Sequence, residues 1–255
     1  MAAVVLTSVA AYPAWRYLHP VTAAEGWEYR LFSQGISIIS ALALDSQGTQ
    51  FVSQEQPDRT GKILRLQADA RGTEVLTGLS KPDGQMLFRD GRVETLFEAD
   101  SVEAVVTDGH LLYAIEDGPQ GRLLRYDPDT RQFTVLREGL DKGEGITICP
   151  DGRLFYTDKA NGRVKQWQPA GQDPLVVEDL NAPGFVQCTK DGLWITEDAT
   201  HGARLLLLDP SGRLEVILQH LRAPQTVIPL SSGRYHLAEH GRNRVLEIFR
   251  RPNGS

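Results

Sequence analysis

Three turn markers recur in register along this chain, and no other feature restricts its fold so much. Asp-Gly or Ser-Gly turns fall at Gly109, Gly152, Gly192 and Gly233, in steps of 43, 40 and 41 residues. A second set, at Gly121, Gly162, Gly202 and Gly241, steps by 41, 40 and 39. Asp127-Pro128, Gln168-Pro169 and Asp209-Pro210 repeat every 41 residues. The cassette is clearest between Gly143 and Trp167. There, short runs rich in Ile, Val, Phe and Tyr are separated by Pro150-Asp151-Gly152 and Asn161-Gly162-Arg163. Runs bounded in this way read as strands joined by tight hairpins. A period of about 40 to 45 residues with four short strands per unit is the mark of an all-β propeller.

The repeat also predicts how the ring begins, closes and is interrupted. The last unit, ending at Arg244-Val245-Leu246-Glu247-Ile248-Phe249-Arg250, supplies only a third strand. The alternating stretch 27–32 is expected to complete it, because a closed ring leaves no open sheet edge. Gly48 and Gly109 stand 61 residues apart, about 21 short of two periods. Lys81-Pro82-Asp83-Gly84 matches the unit opening Ala223-Pro224-Gln225-Thr226, and 88–96 matches the unit ending 209–217. Between them only Gln85-Met86-Leu87 remains. The expectation is a six-bladed β-propeller over residues 27–250 with a truncated second blade, an apolar arm or residual signal or anchor over 1–26, and a tail over 251–255.

Composition narrows the partners. The net charge of -6 argues against nucleic acid, whose phosphates require clustered Lys and Arg. Residues 1–14 are apolar but shorter than the ~20 residues of a spanning helix. Trp15-Arg16-Tyr17 would suit a membrane interface, so the chain is expected to be exported, periplasmic or anchored through this arm alone. Cys149 and Cys188 precede the Asp-Gly turns of successive units, which reads as two buried thiols rather than a disulfide.

Antiparallel blades give the ring two unlike faces. Unit openings and second-strand ends share one face, and the Asp-Gly turns lie on the other. The openings are Ser40, Asp83, Glu103, Glu144, Gly184 and Gln225. The second-strand ends are Gln54-Glu55, Glu116-Asp117, Asp158, Glu197-Asp198 and Glu239-His240. Carboxylates therefore crowd one mouth of the channel. Converging Asp and Glu oxygens suit calcium, magnesium or manganese. Asp83, Glu103 and Glu144 are the expected metal ligands, and Glu144, Asp158 and His240 the expected catalytic residues. His201 and Lys159 on the same face are further general-base candidates. Acids such as Asp158, Glu197 and Glu239 also suit a structural role, accepting backbone N–H bonds from the following loop. The sequence has no Ser nucleophile elbow, phosphate-binding glycine loop or paired-His metal motif.

The segments Gly145-Ile146-Thr147-Ile148-Cys149-Pro150-Asp151-Gly152-Arg153-Leu154-Phe155-Tyr156-Thr157-Asp158 and Tyr235-His236-Leu237-Ala238-Glu239-His240-Gly241-Arg242-Asn243-Arg244-Val245 resemble the gluconolactonase family. That family includes senescence marker protein and luciferin-regenerating enzyme. The resemblance runs from about residue 36 to 250. It implies one divalent metal at the channel mouth and the opening of a lactone. Family ligands are a Glu opening the first blade, Asn residues opening middle blades and a later Asp. Here Ser40-Ala41 replaces the first Glu, Glu103 and Glu144 stand at the Asn positions, and Pro183-Gly184 and Gln225 follow, so a metal would take a different ligand set. Strictosidine-synthase-like proteins share the architecture and use a channel Glu without that metal. The expected function is a small-molecule hydrolase of the lactonase type assisted by a divalent cation. The alternatives are a non-catalytic propeller that binds a ligand or protein partner, or a metal-independent strictosidine-synthase-like enzyme.

Overall fold

The computed structural model describes residues 19–83, 99–230 and 233–251. Among them, five antiparallel four-stranded sheets are arranged as blades of a β-propeller. The first sheet comprises β3 (Ile39–Leu44), β4 (Gln50–Gln54), β5 (Gly61–Leu66) and β6 (Gly72–Leu79). The second comprises β7 (Val102–Thr107), β8 (Leu112–Glu116), β9 (Gly121–Asp127) and β10 (Gln132–Leu140). The third is β11 (Ile146–Ile148), β12 (Leu154–Asp158), β13 (Arg163–Gln166) and β14 (Leu175–Val177). The fourth is β15 (Pro183–Thr189), β16 (Gly192–Glu197), β17 (Ala203–Leu208) and β18 (Leu214–Leu221). In the fifth, β19 (Pro224–Pro229), β20 (Arg234–Glu239) and β21 (Arg244–Arg250) come from the end of the chain and β2 (Trp27–Gln34) from its beginning. The register runs from Trp27 opposite Arg250 to Gln34 opposite Arg244, so β2 and β21 complete the fifth sheet as expected. A short β1 (Thr22–Ala23) extends the fourth sheet beside β18. The segments 1–18 and 252–255, and most of the expected second blade at 84–98, lie outside the described residues.

Local chemistry explains the hairpins. Asp45 Oδ1 accepts the backbone N–H groups of Gln47 and Thr49, each at 2.8 Å, and so folds the β3–β4 turn. Asp209 does the same for Ser211 and Arg213 between β17 and β18. Gly192 begins β16 at φ +128°, and a Cβ there would lie 2.1 Å from the Leu208 carbonyl oxygen. Only glycine fits both the dihedral and the space.

The core is a set of apolar layers between neighbouring sheets. Trp194, Leu205 and Ile217 pack on Val227, Tyr235 and Leu246 between the fourth and fifth sheets. Ile39, Val52 and Leu64 meet Ile228, Ala238 and Val245 between the first and fifth. Phe155, Val164 and Val177 meet Val186, Ile195 and Leu206 between the third and fourth. Ile115, Leu123 and Leu140 meet Ile146, Leu154 and Tyr156 between the second and third. The outermost strands β6 and β10 are mostly exposed, so burial falls from the channel outwards.

The two cysteines correct the sequence expectation. Cys149 and Cys188 form a disulfide with Cα atoms 5.2 Å apart. Each lies at the turn-face end of an innermost strand, and innermost strands of adjacent sheets run side by side. Thr147 Oγ1 accepts the Cys188 N–H at 3.1 Å across the same seam. Positions 39 residues apart thus become neighbours through blade convergence, which sequence spacing alone does not reveal. At the other end of the seam, a Cβ on Gly145 would lie 2.5 Å from the Gly184 carbonyl oxygen.

Closing a loop of 39 residues restricts the unfolded chain, so Cys149→Ser should lower stability by about 3–4 kcal/mol. Urea denaturation should show this loss in the variant, and the same loss for the parent protein under a thiol reductant. Equal midpoints with and without reductant would contradict it.

Candidate functional site

Six non-glycine residues with left-handed backbone mark the way into the channel: Ile38, Lys81, Ser101, Lys142, Ala182 and Ala223, with φ between 42° and 60°. Such dihedrals are uncommon away from glycine and turn the chain sharply. Two residues after each stands one of the expected openings: Ser40, Asp83, Glu103, Glu144, Gly184 and Gln225. In the five described sheets, the residue after the second strand donates its N–H to the carbonyl of the left-handed residue. These bonds join Glu55 to Ile38 (2.8 Å), Asp117 to Ser101 (2.9 Å), Lys159 to Lys142 (3.0 Å), Asp198 to Ala182 (2.8 Å) and His240 to Ala223 (3.1 Å). Openings and second-strand ends are thereby held at one mouth.

Polar contacts run round this mouth in two groups. In the first, the Ser40 hydroxyl donates to Asp83 Oδ1, and the Asp83 carboxyl hydrogen-bonds Glu103. Lys81 pairs with Glu55 at 3.0 Å beside them. Burial, together with the Glu103 contact, pushes the Asp83 carboxyl up to about 9. Burial also raises Glu103, reinforced by the charges of Asp117 and Glu55 and opposed by the Asp83 bond. Asp83 therefore carries the proton and Glu103 receives it. In the second group, the Lys159 ammonium touches Glu144 Oε2 and, at 2.6 Å, Asp198 Oδ2. The other Asp198 oxygen accepts the Gln225 amide at 2.8 Å. Glu144 is 6% exposed, and burial pushes it up to about 8 despite Lys159, with Asp198 and Glu103 adding to the rise. Burial would lower Lys159, but Glu144 and Asp198 outweigh it and hold the ammonium above the ordinary lysine range.

The first acid of each second-strand ending plays another part. Glu116 accepts two bonds from Arg122 at 2.6 Å. Asp158 accepts Lys165 and Asn161, both at 2.8 Å. Glu197 pairs with Arg204 and takes the Asn181 N–H. Glu239 pairs with Arg242 and Arg244 and takes the Arg222 N–H. These acids tie the third strand and the incoming loop to the second strand. Asp158, expected as catalytic, faces a side cleft of about 540 Å³ that it shares with Tyr156, Arg163 and Lys165. His240, also expected as catalytic, opens a single 3-10 turn over His240–Arg242 at the rim.

The expected metal ligands do not converge as one set. Asp83 and Glu103 are joined to each other, whereas Glu144 is occupied by an ammonium. Among the described residues, the three side chains whose ligand atoms all lie within 4.8 Å of one another are His110, Asp127 and Asp129. They sit on the opposite face, beside the Asp108-Gly109 turn, with His110 and Asp129 exposed. Asp83, Glu103 and Glu144 therefore do not fit a single divalent ion. Lys159 and Asp198 join Glu144 at the mouth, and the signal for them was the second residue of each strand-ending pair.

A carboxyl with a raised folded pKa supports the fold while protonated, and that support is lost as the pH rises towards the folded value. Asp83→Asn keeps a donor for Glu103 without that loss. Its melting temperature should exceed the parent's increasingly from pH 5 to pH 9. Parallel pH profiles for the two proteins would contradict the buried-proton reading.

Residues 94–167, which hold Glu103, Glu144 and Lys159, match the family model of strictosidine synthase. Two curated Arabidopsis thaliana proteins, strictosidine synthase-like 13 and strictosidine synthase-like 7, are each 29% identical, over 147 and 132 residues. The matches cover 54% and 48% of this chain but only 36% and 34% of those proteins, about a third of their length. A gluconolactonase of Xanthomonas campestris superposes with a TM-score of 0.69 at 11% identity, covering 90% of this chain and 91% of that one. A calcium structure of the Trichoderma reesei carbohydrate-active enzyme family AA12 gives 0.67 at 12% identity, covering 91% and 97%. In fold the chain is a gluconolactonase-like β-propeller, and its central segment is similar in sequence to strictosidine synthase.

Proposed function

We propose that the channel mouth is the active site of a small-molecule hydrolase of the lactonase type, with Glu144 as its general base. The observation that carries this reading is the gathering of the opening residues at one mouth with Glu144 buried among them. A base poised near neutral pH is what proton transfer from water requires. The Glu144 carboxylate takes a proton from water as the water oxygen adds to the lactone carbonyl carbon. The carbonyl pair moves onto its oxygen, then returns and expels the ring oxygen, which receives the proton from Glu144. A hydroxy acid is released. The gluconolactonase among the solved neighbours supports the substrate class. No step is routed through a divalent cation, because the donors expected to hold one are otherwise engaged.

The ring in this reading has six units, the second short. Its support is the six left-handed entries, which succeed one another at 43, 20, 41, 40 and 41 residues. The inter-blade disulfide supports an exported protein, since such bonds persist in oxidising compartments.

Turnover of a panel of aldonolactones and aryl esters, followed by proton release, tests the activity. Glu144→Gln should cost about 100-fold or more in kcat with the fold retained. The parent's kcat should rise with pH up to about 8, following ionisation of Glu144. Asp158→Asn separates a structural role from a chemical one. It leaves Lys165 without its partner, so it should lower stability by about 3 kcal/mol while the folded fraction keeps its kcat. Stoichiometric ligand binding without turnover would instead favour the non-catalytic propeller.

A further inference from the structure

We propose that Lys159 is a built-in cation that occupies the place of a divalent ion at the mouth and polarises the substrate carbonyl. The exclusion of metal stands on the geometry alone; the carbonyl role rests on the hydrolase reading above. Lys159 follows β12 where the other sheets carry Glu55, Asp117, Asp198 and His240, so it is the one ammonium among these five positions. Its backbone is fixed by the bond to Lys142, and its side chain is 21% exposed. It is held between Glu144, which opens the third sheet, and Asp198, which ends the second strand of the fourth. Gln225, opening the fifth sheet, backs Asp198. One positive charge therefore draws together three adjacent blades.

That placement has two chemical consequences. The ammonium uses the same carboxylate oxygens that a hard divalent ion would need, and its charge repels such an ion at contact distance. An ammonium also carries three donors, and the two carboxylates take two of them. The third is available to a carbonyl oxygen as negative charge develops on it, the task a Lewis-acid metal performs elsewhere. Removing the ammonium should uncover an oxygen-rich set of Glu144, Asp198 and the Gln225 amide, whose carbonyl end can turn inwards.

Calorimetric titration with calcium chloride and manganese chloride, after dialysis against a chelator, tests the inference on the chain of 255 residues. Lys159→Ala should bind one ion at least ten-fold more tightly than the parent, and Glu144→Gln added to it should abolish the gain. Lys159→Arg, which keeps the charge, should remain like the parent. In lactone turnover, Lys159→Ala without metal should lose about 100-fold in kcat, and calcium or manganese should restore part of it. A parent protein that binds one divalent ion tightly, and loses it on Glu144→Gln, would overturn the proposal even if Lys159→Ala failed to fold. A folded Lys159→Ala that gains no ion would overturn it equally. Absence of lactone turnover in the parent would count against the hydrolase reading and leave the ion-binding result to decide the rest.

Discussion

The backbone bond between the residue after each second strand and the left-handed residue before each first strand organises this molecule. It forces a hairpin to end where it began, so two positions distant in the unit become neighbours at the mouth. The strained dihedral is the means, because a non-glycine residue at φ near 50° turns the chain directly into the innermost strand. The apolar layers between sheets then set the radial spacing, bringing the openings of successive blades within reach of one another. Without the layers the mouth would have no fixed diameter. Without the bond, the side chains that face it would have no common height.

Within this frame, adjacent residues carry opposite duties. In Glu116-Asp117, Asp158-Lys159, Glu197-Asp198 and Glu239-His240, the first acid is nearly inaccessible and is neutralised by a cation within its own blade. The second residue stands at the mouth. The division follows from the pleat of a strand, in which successive side chains leave on opposite faces. It also explains why the buried acids resemble site residues in composition while acting as ties.

The crowding of carboxylates at the mouth is resolved differently on its two sides. Asp83 and Glu103 share a proton, since burial disfavours two charges in contact. Glu144 and Asp198 share an ammonium. The first solution joins two carboxyl groups through a hydrogen bond, and the second places an ammonium between two carboxylates.

Much of this was legible in the sequence. The phased turns announced the propeller, the unpaired strand at 244–250 announced its closure by Trp27–Gln34, and the unit openings announced which residues share a face. Periodicity carries such information because each blade repeats one hairpin geometry, so equal positions in the repeat become equal places in space. What the repeat does not encode is the distance between blades. The Cys149–Cys188 bond, the capture of Glu144 by Lys159 and the pairing of Asp83 with Glu103 all cross from one unit to the next. Their partners are chosen by how closely the innermost strands approach the axis, which the packing of the interleaved apolar layers decides. Sequence named the residues at the mouth; tertiary structure decided which neighbour each one meets, and for Asp83, Glu103 and Glu144 burial then raises the carboxyl pKa.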